Sequence, residues 1–240
     1  MPKTKTAIVT GASQGIGAGL VNRFLEKGYN VVGSSRGVTK SNHLKASSQL
    51  ALVDGDIGDS TVATRITDTA IDRFGRIDVL VNNAGIFVPK PFTEYTSEDF
   101  NALVSTILAG FFYVTQGAVR QMLQQRSGHI VNISTTLADH PMANAPCALQ
   151  LLTKGGLHSV TRALALEYAD KGIRANTLAL GVIKTPMHKP ETYDSLSNLS
   201  PAHRMGEIEE VVEAVMYLND ATFVNGETLH LDGGAHAGRW

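Results

Sequence analysis

Thr10-Gly11-Ala12-Ser13-Gln14-Gly15-Ile16-Gly17 follows an apolar run, Thr6–Thr10, and opens a helical pattern that continues to Lys27. The run before it reads as a buried strand. Glycines at such a junction permit a tight turn, close approach of the backbone to a diphosphate, and close helix–strand packing. The first helical N–H groups have no intrahelical partner and sit at the positive end of the helix dipole, which suits phosphate. A tight strand–helix turn with no ligand is the bland alternative. Gly28 reads as the helix stop.

The same alternation continues outward. Strands are expected at Asn30–Ser34, Leu50–Val53, Ile77–Val81, Gly128–Ser134, Arg174–Ala179 and Thr228–Leu231. Helices are expected at Thr61–Phe74, Leu149–Asp170 and Glu207–Leu218, and Ser97–Gln125 carries helical periodicity over more than one helix length. Strands alternating with crossover-length helices predict an α/β fold: one Rossmann-like domain with a doubly wound parallel sheet of about seven strands and helices on both faces. Met187–Arg204, rich in Pro, Ser and Asn, reads as a loop, with a substrate lid expected across 186–206.

Length and composition agree with one globular domain. The chain has 240 residues, 43% hydrophobic and 18% charged, so it is long enough for a core and too apolar for disorder. Its net charge of -1 lacks the basic excess of a polyanion-binding surface, so no nucleic acid partner is expected. One cysteine, Cys147, excludes an internal disulfide framework and a cysteine-rich zinc site. No histidine pair has metal-ligand spacing with a third ligand in view, so no metal is expected. No apolar run approaches the length of a membrane span, and Met1–Lys5 carries no signal-peptide pattern. A soluble cytoplasmic protein with no membrane partner is the expectation.

The spacing Thr-Gly-x-x-x-Gly-x-Gly at Thr10–Gly17 and the tetrad Asn82-Asn83-Ala84-Gly85 resemble the short-chain dehydrogenase/reductase family. Asp56-Ile57 after the third strand, Lys154-Gly155-Gly156-Leu157, Gly181-Val182-Ile183-Lys184-Thr185-Pro186 and Asp232-Gly233-Gly234 extend the resemblance over the whole chain. It implies a nicotinamide dinucleotide held by Gly11, Ser13, Gln14, Gly15, Ile16, Gly17, Ser35, Arg36, Asp56, Ile57, Asn83, Ala84, Gly85, Lys154, Gly181, Ile183 and Thr185. It also implies a homo-oligomer, commonly a tetramer. Ser35 stands where NAD-preferring relatives carry an Asp that would bind the ribose diol, and Arg36 beside it suits a 2′-phosphate. NADP(H) is therefore the preferred cofactor, with NAD(H) as the alternative.

The family's proton-transfer residues are a different matter. The resemblance places Lys154 at the Lys that holds the ribose. Gln150 stands four residues earlier, where the family has its Tyr acid. An amide forms hydrogen bonds but does not titrate. Ile107 occupies the position of the supporting Asn. Thr135 falls on the catalytic Ser position, with Ser134 beside it. Ile133 and Gln150 lie 17 positions apart, more than the family pattern implies, so Leu137–Cys147 reads as a lengthened loop beside the site. It carries Asp139 and His140, and His140 is a candidate proton donor. Lys154, water, or an iminium substrate needing hydride only are the other solutions. His43, His158, His203, His230 and His236 read as surface or packing residues, with His188 at the pocket mouth. Met142, Met187, Phe87 and Phe92 are expected to line an apolar pocket.

Three functions follow. The first is an oxidoreductase that moves hydride between the nicotinamide and a carbonyl, alcohol or imine carbon of a small apolar substrate. The second is a redox-silent dinucleotide-binding protein. The third is a non-redox catalyst on the same scaffold.

Overall fold

The computed structural model describes residues 4–238. Met1–Lys3, within the opening stretch read for a signal-peptide pattern, lie outside the described residues. Seven strands form one sheet: β1 (Thr6–Thr10), β2 (Asn30–Ser35), β3 (Leu50–Asp54), β4 (Val79–Asn82), β5 (Gly128–Thr135), β6 (Ile173–Leu180) and β7 (Thr228–Leu231). They lie in the order β3-β2-β1-β4-β5-β6-β7, every pair parallel. The helices are α1 (Gly15–Glu26), α2 (Ser60–Phe74), α3 (Ser97–Leu103), α4 (Gly110–Gln125), α5 (Ala148–Glu167), α6 (Tyr193–Ser197) and α7 (Ile208–Asp220).

The central strands are apolar on both faces because both are covered. On one face Leu20, Val21 and Phe24 of α1 meet Val211, Val212 and Val215 of α7. On the other, Val62 and Ile66 of α2, Val114, Ala118 and Met122 of α4, and Ala165 of α5 share a second core. The strand order reverses between β1 and β4, so the loops at their carboxyl ends diverge and leave a crevice. That crevice is where the glycine-rich turn lies.

Most element bounds match the sequence expectation to within a residue or two. The strand expected at Ile77–Val81 begins instead at Val79. The Ile77 N–H donates to Gln125 Oε1 at 2.9 Å, so that residue is held by a side chain and not by the ladder. The helix expected to reach Asp170 stops at Glu167, followed by a tighter turn at Ala169–Lys171 and Gly172 at φ 75.

The periodic stretch Ser97–Gln125 also departs from expectation. It is one helical rod of 29 residues, with a π-helical segment at Val104–Ala109 joining α3 to α4. Its most apolar 18-residue window has mean hydropathy 1.5, so it is long and apolar enough to cross a membrane, contrary to the reading of the sequence. Here it is a core helix, since Val114, Ala118 and Met122 are buried against the sheet and α2. Small residues permit that approach: a methyl on Gly117 would lie 2.9 Å from the Thr67 methyl group.

Candidate active site

Thr10 joins the two halves of the crevice. Its hydroxyl donates to Val81 O at 3.3 Å and accepts from the N–H groups of Asn83 and Ala84, each at 3.0 Å. Asn83 Nδ2 donates to Thr10 O at 2.9 Å. The end of β1 is thereby tied to the end of β4. Behind it, Asn82 Nδ2 donates to Asn132 Oδ1 (2.9 Å), and Asn132 Nδ2 donates to Thr161 Oγ1 (2.8 Å). This buried chain fixes β4, β5 and α5 relative to one another.

The glycine-rich turn has the geometry expected of it. Gly11 and Gly15 have φ of 67 and 55, conformations that disfavour a side chain. Gln14 precedes α1 with no side-chain cap, and the first turn carries no acidic residue. Main-chain N–H groups are thus left for an anion. The groove above them, about 420 Å³, is lined by Gly11, Ser13, Gln14, Gly15, Ile16, Gly17, Ser35, Arg36, Asp56, Ile57, Asn83, Ala84, Gly85 and Thr185. The uncapped turn, the two left-handed glycines and the exposed guanidinium of Arg36 fit a dinucleotide diphosphate and its adenosine end. Sequence reading missed Gly37, Gly55, Ile86 and Thr106, which also line this groove. Of these, Gly55 was visible between two aspartates, and its φ of 150 explains why glycine stands there.

A second cavity of about 400 Å³ adjoins the groove and shares Ile16, Asn83, Gly85, Ile86, Thr185 and Met187 with it. Ser134, Thr135, Gln150, Lys154, Gly181, Ile183 and His188 line it, with Phe87, Met142, Leu196 and Leu199 as apolar wall. Lys154, Gly181 and Ile183, expected at the dinucleotide, face this cavity and do not line the groove. Phe92, expected as pocket wall, is 70% exposed on an outer turn.

Among the described residues, Lys154 is the one lysine of the cavity lining. Burial pulls its pKa from 10.5 down to about 8. Gln150, one helical turn earlier, is buried, and its Nε2 donates to Ile86 O at 2.7 Å. Its Oε1 has no hydrogen-bond partner among the described residues. Ile107 sits in the π-helical segment, buried among Leu103, Leu149 and Leu157. The position that the resemblance assigns to the supporting Asn is thereby filled with hydrocarbon.

The two hydroxyls at the end of β5 separate, as alternating strand residues do. Ser134 Oγ lies 2.8 Å from His158 Nε2 and 3.2 Å from Lys154 O, so α5 engages it. Thr135 Oγ1 accepts the Leu137 N–H at 3.3 Å and keeps its own proton to donate.

His158, read as a packing residue, belongs to a network. Its Nδ1 is 3.2 Å from Asp139 Oδ1, and His230 Nε2 is 3.0 Å from Asp139 Oδ2. His230 stacks on His236 with ring centroids 3.9 Å apart. Partial burial would raise the Asp139 pKa, but the hydrogen bond and charge of His230, with His158 behind it, outweigh that and hold it low. Asp139 is thus the clamp that ties the lengthened loop to α5 and β7. His140 is displaced by the same arrangement. Its N–H donates to Thr136 O at 3.0 Å, and this tight turn leaves the ring exposed, 6.2 Å from His236 and outside the cavity lining. Among the described residues no group of His, Cys, Asp and Glu is placed to hold a metal.

The clamp makes a stability prediction. Asp139→Ala is expected to cost about 1 kcal/mol, after allowing for the partial exposure of the carboxylate. Because the folded pKa is depressed, this contribution is present at neutral pH and is lost as pH falls below the ordinary carboxylate range. Thermal unfolding of both proteins from pH 7 to pH 3 checks it: the gap should close on acidification.

A family model described as enoyl-(acyl carrier protein) reductase matches residues 11–236. The 3-oxoacyl-[acyl-carrier-protein] reductase FabG of Vibrio harveyi is 34% identical over 247 residues, covering 97% of each chain. This chain is a short-chain dehydrogenase/reductase. The solved structure titled "ElxO with NADP Bound" superposes with a TM-score of 0.91 at 31% identity, covering 98% of this chain and 100% of that one. The 3-ketoacyl-(acyl-carrier-protein) reductase of Brucella melitensis complexed with NADH gives 0.90 at 28% identity, covering 98% and 99%. Membership makes this short-chain dehydrogenase/reductase a nicotinamide-dependent oxidoreductase. Relatives with the two cofactors leave the preference of this chain to its own residues.

Proposed function

We propose that the protein is an NADP(H)-preferring oxidoreductase that moves hydride between the nicotinamide and a carbonyl, alcohol or imine carbon of a small apolar substrate. One observation carries the reading: the dinucleotide groove and the apolar cavity share a wall at Asn83, Gly85, Ile86 and Thr185, so a ring lying in one meets a substrate in the other. The bound dinucleotide supplies the hydride. The chain's own residues bind, orient and exclude water. Gly11–Gly17 offers main-chain donors to the diphosphate. Arg36, exposed at the rim with no carboxylate at Ser35, offers a partner to a 2′-phosphate. Thr135 donates to the substrate oxygen. The segment 186–206, which contains α6 and supplies Leu196 and Leu199 to the cavity, acts as the lid.

NADPH consumption against ketones, diketones and imines tests this. Turnover with NADPH above that with NADH is the expected result. Tight NADPH binding without turnover would favour the redox-silent reading, whose support is the non-titrating amide at Gln150. Gln150→Tyr is expected to raise ketone reduction at least tenfold, by restoring an acid of titratable oxygen one turn before Lys154. An unchanged rate would locate the obstacle at Ile107 or the loop.

We also propose a homotetramer in the cytoplasm, with a small molecule as its substrate partner. Phe100, Phe112, Leu152 and Leu166 on α3, α4 and α5 are exposed apolar side chains suited to burial against second copies. The buried free thiol of Cys147 agrees with a reducing compartment. Light scattering of the purified protein reads the assembly, and a monomer at micromolar concentration would contradict it.

A further inference from the structure

With a Gln where the family has its acid, the proton of a carbonyl reduction has to come from another group. We propose that Lys154 is the proton donor: its ammonium protonates the oxygen of a neutral carbonyl substrate while the carbon takes the hydride. The assignment rests on the reading of the protein as a reductase and names both its acid and its substrate class.

The lining of the cavity makes the choice. Its titratable side chains are Lys154 from α5 and His188 from the segment after β6. The other polar lining groups, Ser134 and Thr135 on β5, Thr136 just after it, Asn83 after β4, Asn144 on the loop, Gln150 on α5 and Thr185 after β6, do not titrate near neutral pH. Gln150 gives one of its two amide N–H groups to Ile86 O. Ser134 is engaged by His158 and by Lys154 O. His140 lies outside the cavity. Asp139 is spent on His158 and His230, and Asp56 lines the dinucleotide groove alone. The Cys147 thiol at the start of α5 is buried, and burial pushes its pKa up. Burial also holds His188 below the ordinary imidazole value, so at pH 7 it is a neutral ring.

Lys154 has the position the role requires. A methyl group built on Gly85 would lie 3.8 Å from its Nζ, which places the ammonium at the boundary between groove and cavity. Among the described residues that line the cavity there is no carboxylate to hold its proton back. The same fact argues against a cationic iminium substrate, because the cavity offers one cation and no anion. The depressed pKa of the amine matches a donor that is charged at neutral pH and releases its proton readily. Behind Lys154, a void of only about 10 Å³ lies among Ile107, Phe111 and Leu157 with Thr10, Asn82 and Thr106, too small for a chain of waters. Reprotonation therefore comes from the open side of the cavity.

The step balances. The carbonyl carbon gains a hydride from the reduced dinucleotide, the C=O π pair moves to oxygen, and that oxygen takes one proton from Nζ. The products are an alcohol, the oxidised dinucleotide and a neutral amine.

The test uses NADPH with neutral ketones, cyclohexanone and 2-octanone among them, and 3,4-dihydroisoquinoline as the imine. The turnover rate for ketones should fall about tenfold per pH unit above pH 8. Lys154→Arg keeps the cation but not a transferable proton. It should lower ketone turnover by about 10²-fold or more while NADPH still binds by fluorescence titration. A third readout needs no turnover: competitive acetylation with acetic anhydride, read by peptide mass spectrometry, should give Lys154 a midpoint near 8 in the free protein.

Four outcomes overturn the assignment. They are a flat rate to pH 10, full activity in Lys154→Arg, loss of the pH-dependent limb in His188→Gln instead, and reduction of the imine with no ketone reduced. In each of these the reductase reading survives. NADPH binding with neither probe class turned over removes that reading and this assignment together.

Discussion

Gly17→Ala is expected to destabilise the protein by about 3 kcal/mol and to abolish NADPH binding. In an open helix the same change would gain about 1 kcal/mol, because alanine is the better helix former. Contact decides the sign here. The added methyl would lie 2.8 Å from the Gly11 carbonyl carbon and 2.9 Å from Ala12 Cα, and would fall well inside contact distance of Gly11 O. These are backbone atoms of the turn itself, so no side chain can rotate away. Relief requires moving α1 off β1, which separates the N–H groups meant for the diphosphate and opens the core around Leu20 and Phe24. Urea unfolding with an NADPH titration measures both effects. A variant as stable as the parent that still binds NADPH would show that the turn does not need this close packing.

Lys154→Met should show the opposite sign on stability and a loss of function. Burying an ammonium with no anion beside it among the described residues costs free energy, and the fall of its pKa from 10.5 to about 8 reflects that cost. Unscreened, the shift corresponds to roughly 3 kcal/mol. The open cavity reduces this to about 2 kcal/mol. At pH 7 the free variant should therefore be more stable than the parent by about that amount. Below pH 8 the lysine is charged in both folded and unfolded chains, and the full cost is present. Between pH 8 and pH 10.5 the folded chain has released its proton while the unfolded chain keeps it, so the parent gains stability and the gap narrows. Ketone reduction should meanwhile fall by about 10²-fold or more. Denaturant melts at pH 7 and pH 10 give the first result and NADPH consumption the second. A variant less stable than the parent at pH 7 would mean that Lys154 makes a stabilising contact in the free protein.

The two predictions rest on features of unequal visibility in the sequence. The glycine turn was legible because each of its requirements is local. A positive φ, an uncapped helix start and a strand immediately before it all concern adjacent residues, and Gly11, Gly15 and Gly17 announce them. The departures at Gln150 and Ile107 were legible too, because Lys154-Gly155-Gly156-Leu157 and Gly110 fix the register on either side.

Which titratable group lines the cavity was not legible. His140 looked suitable as an imidazole in a loop beside the site. Whether it faces the cavity depends on the turn closed by its own N–H on Thr136 O, and on the clamp that Asp139 forms with His158 and His230. Those partners come from α5 and β7, at separations of 19 and 91 residues. The same distance in sequence hid Ile86, whose carbonyl takes up the amide of Gln150 from 64 positions away.

The sequence by itself determined the alternation of strands and helices, the parallel sheet, the dinucleotide turn and the absence of a tyrosine before the lysine. Each follows from periodicity or from backbone preference over a few neighbouring residues. Tertiary structure alone decided which titratable side chain lines the cavity and which is turned outward. Burial and the company of distant groups set a proton's affinity, and neither exists until the chain has closed around the site.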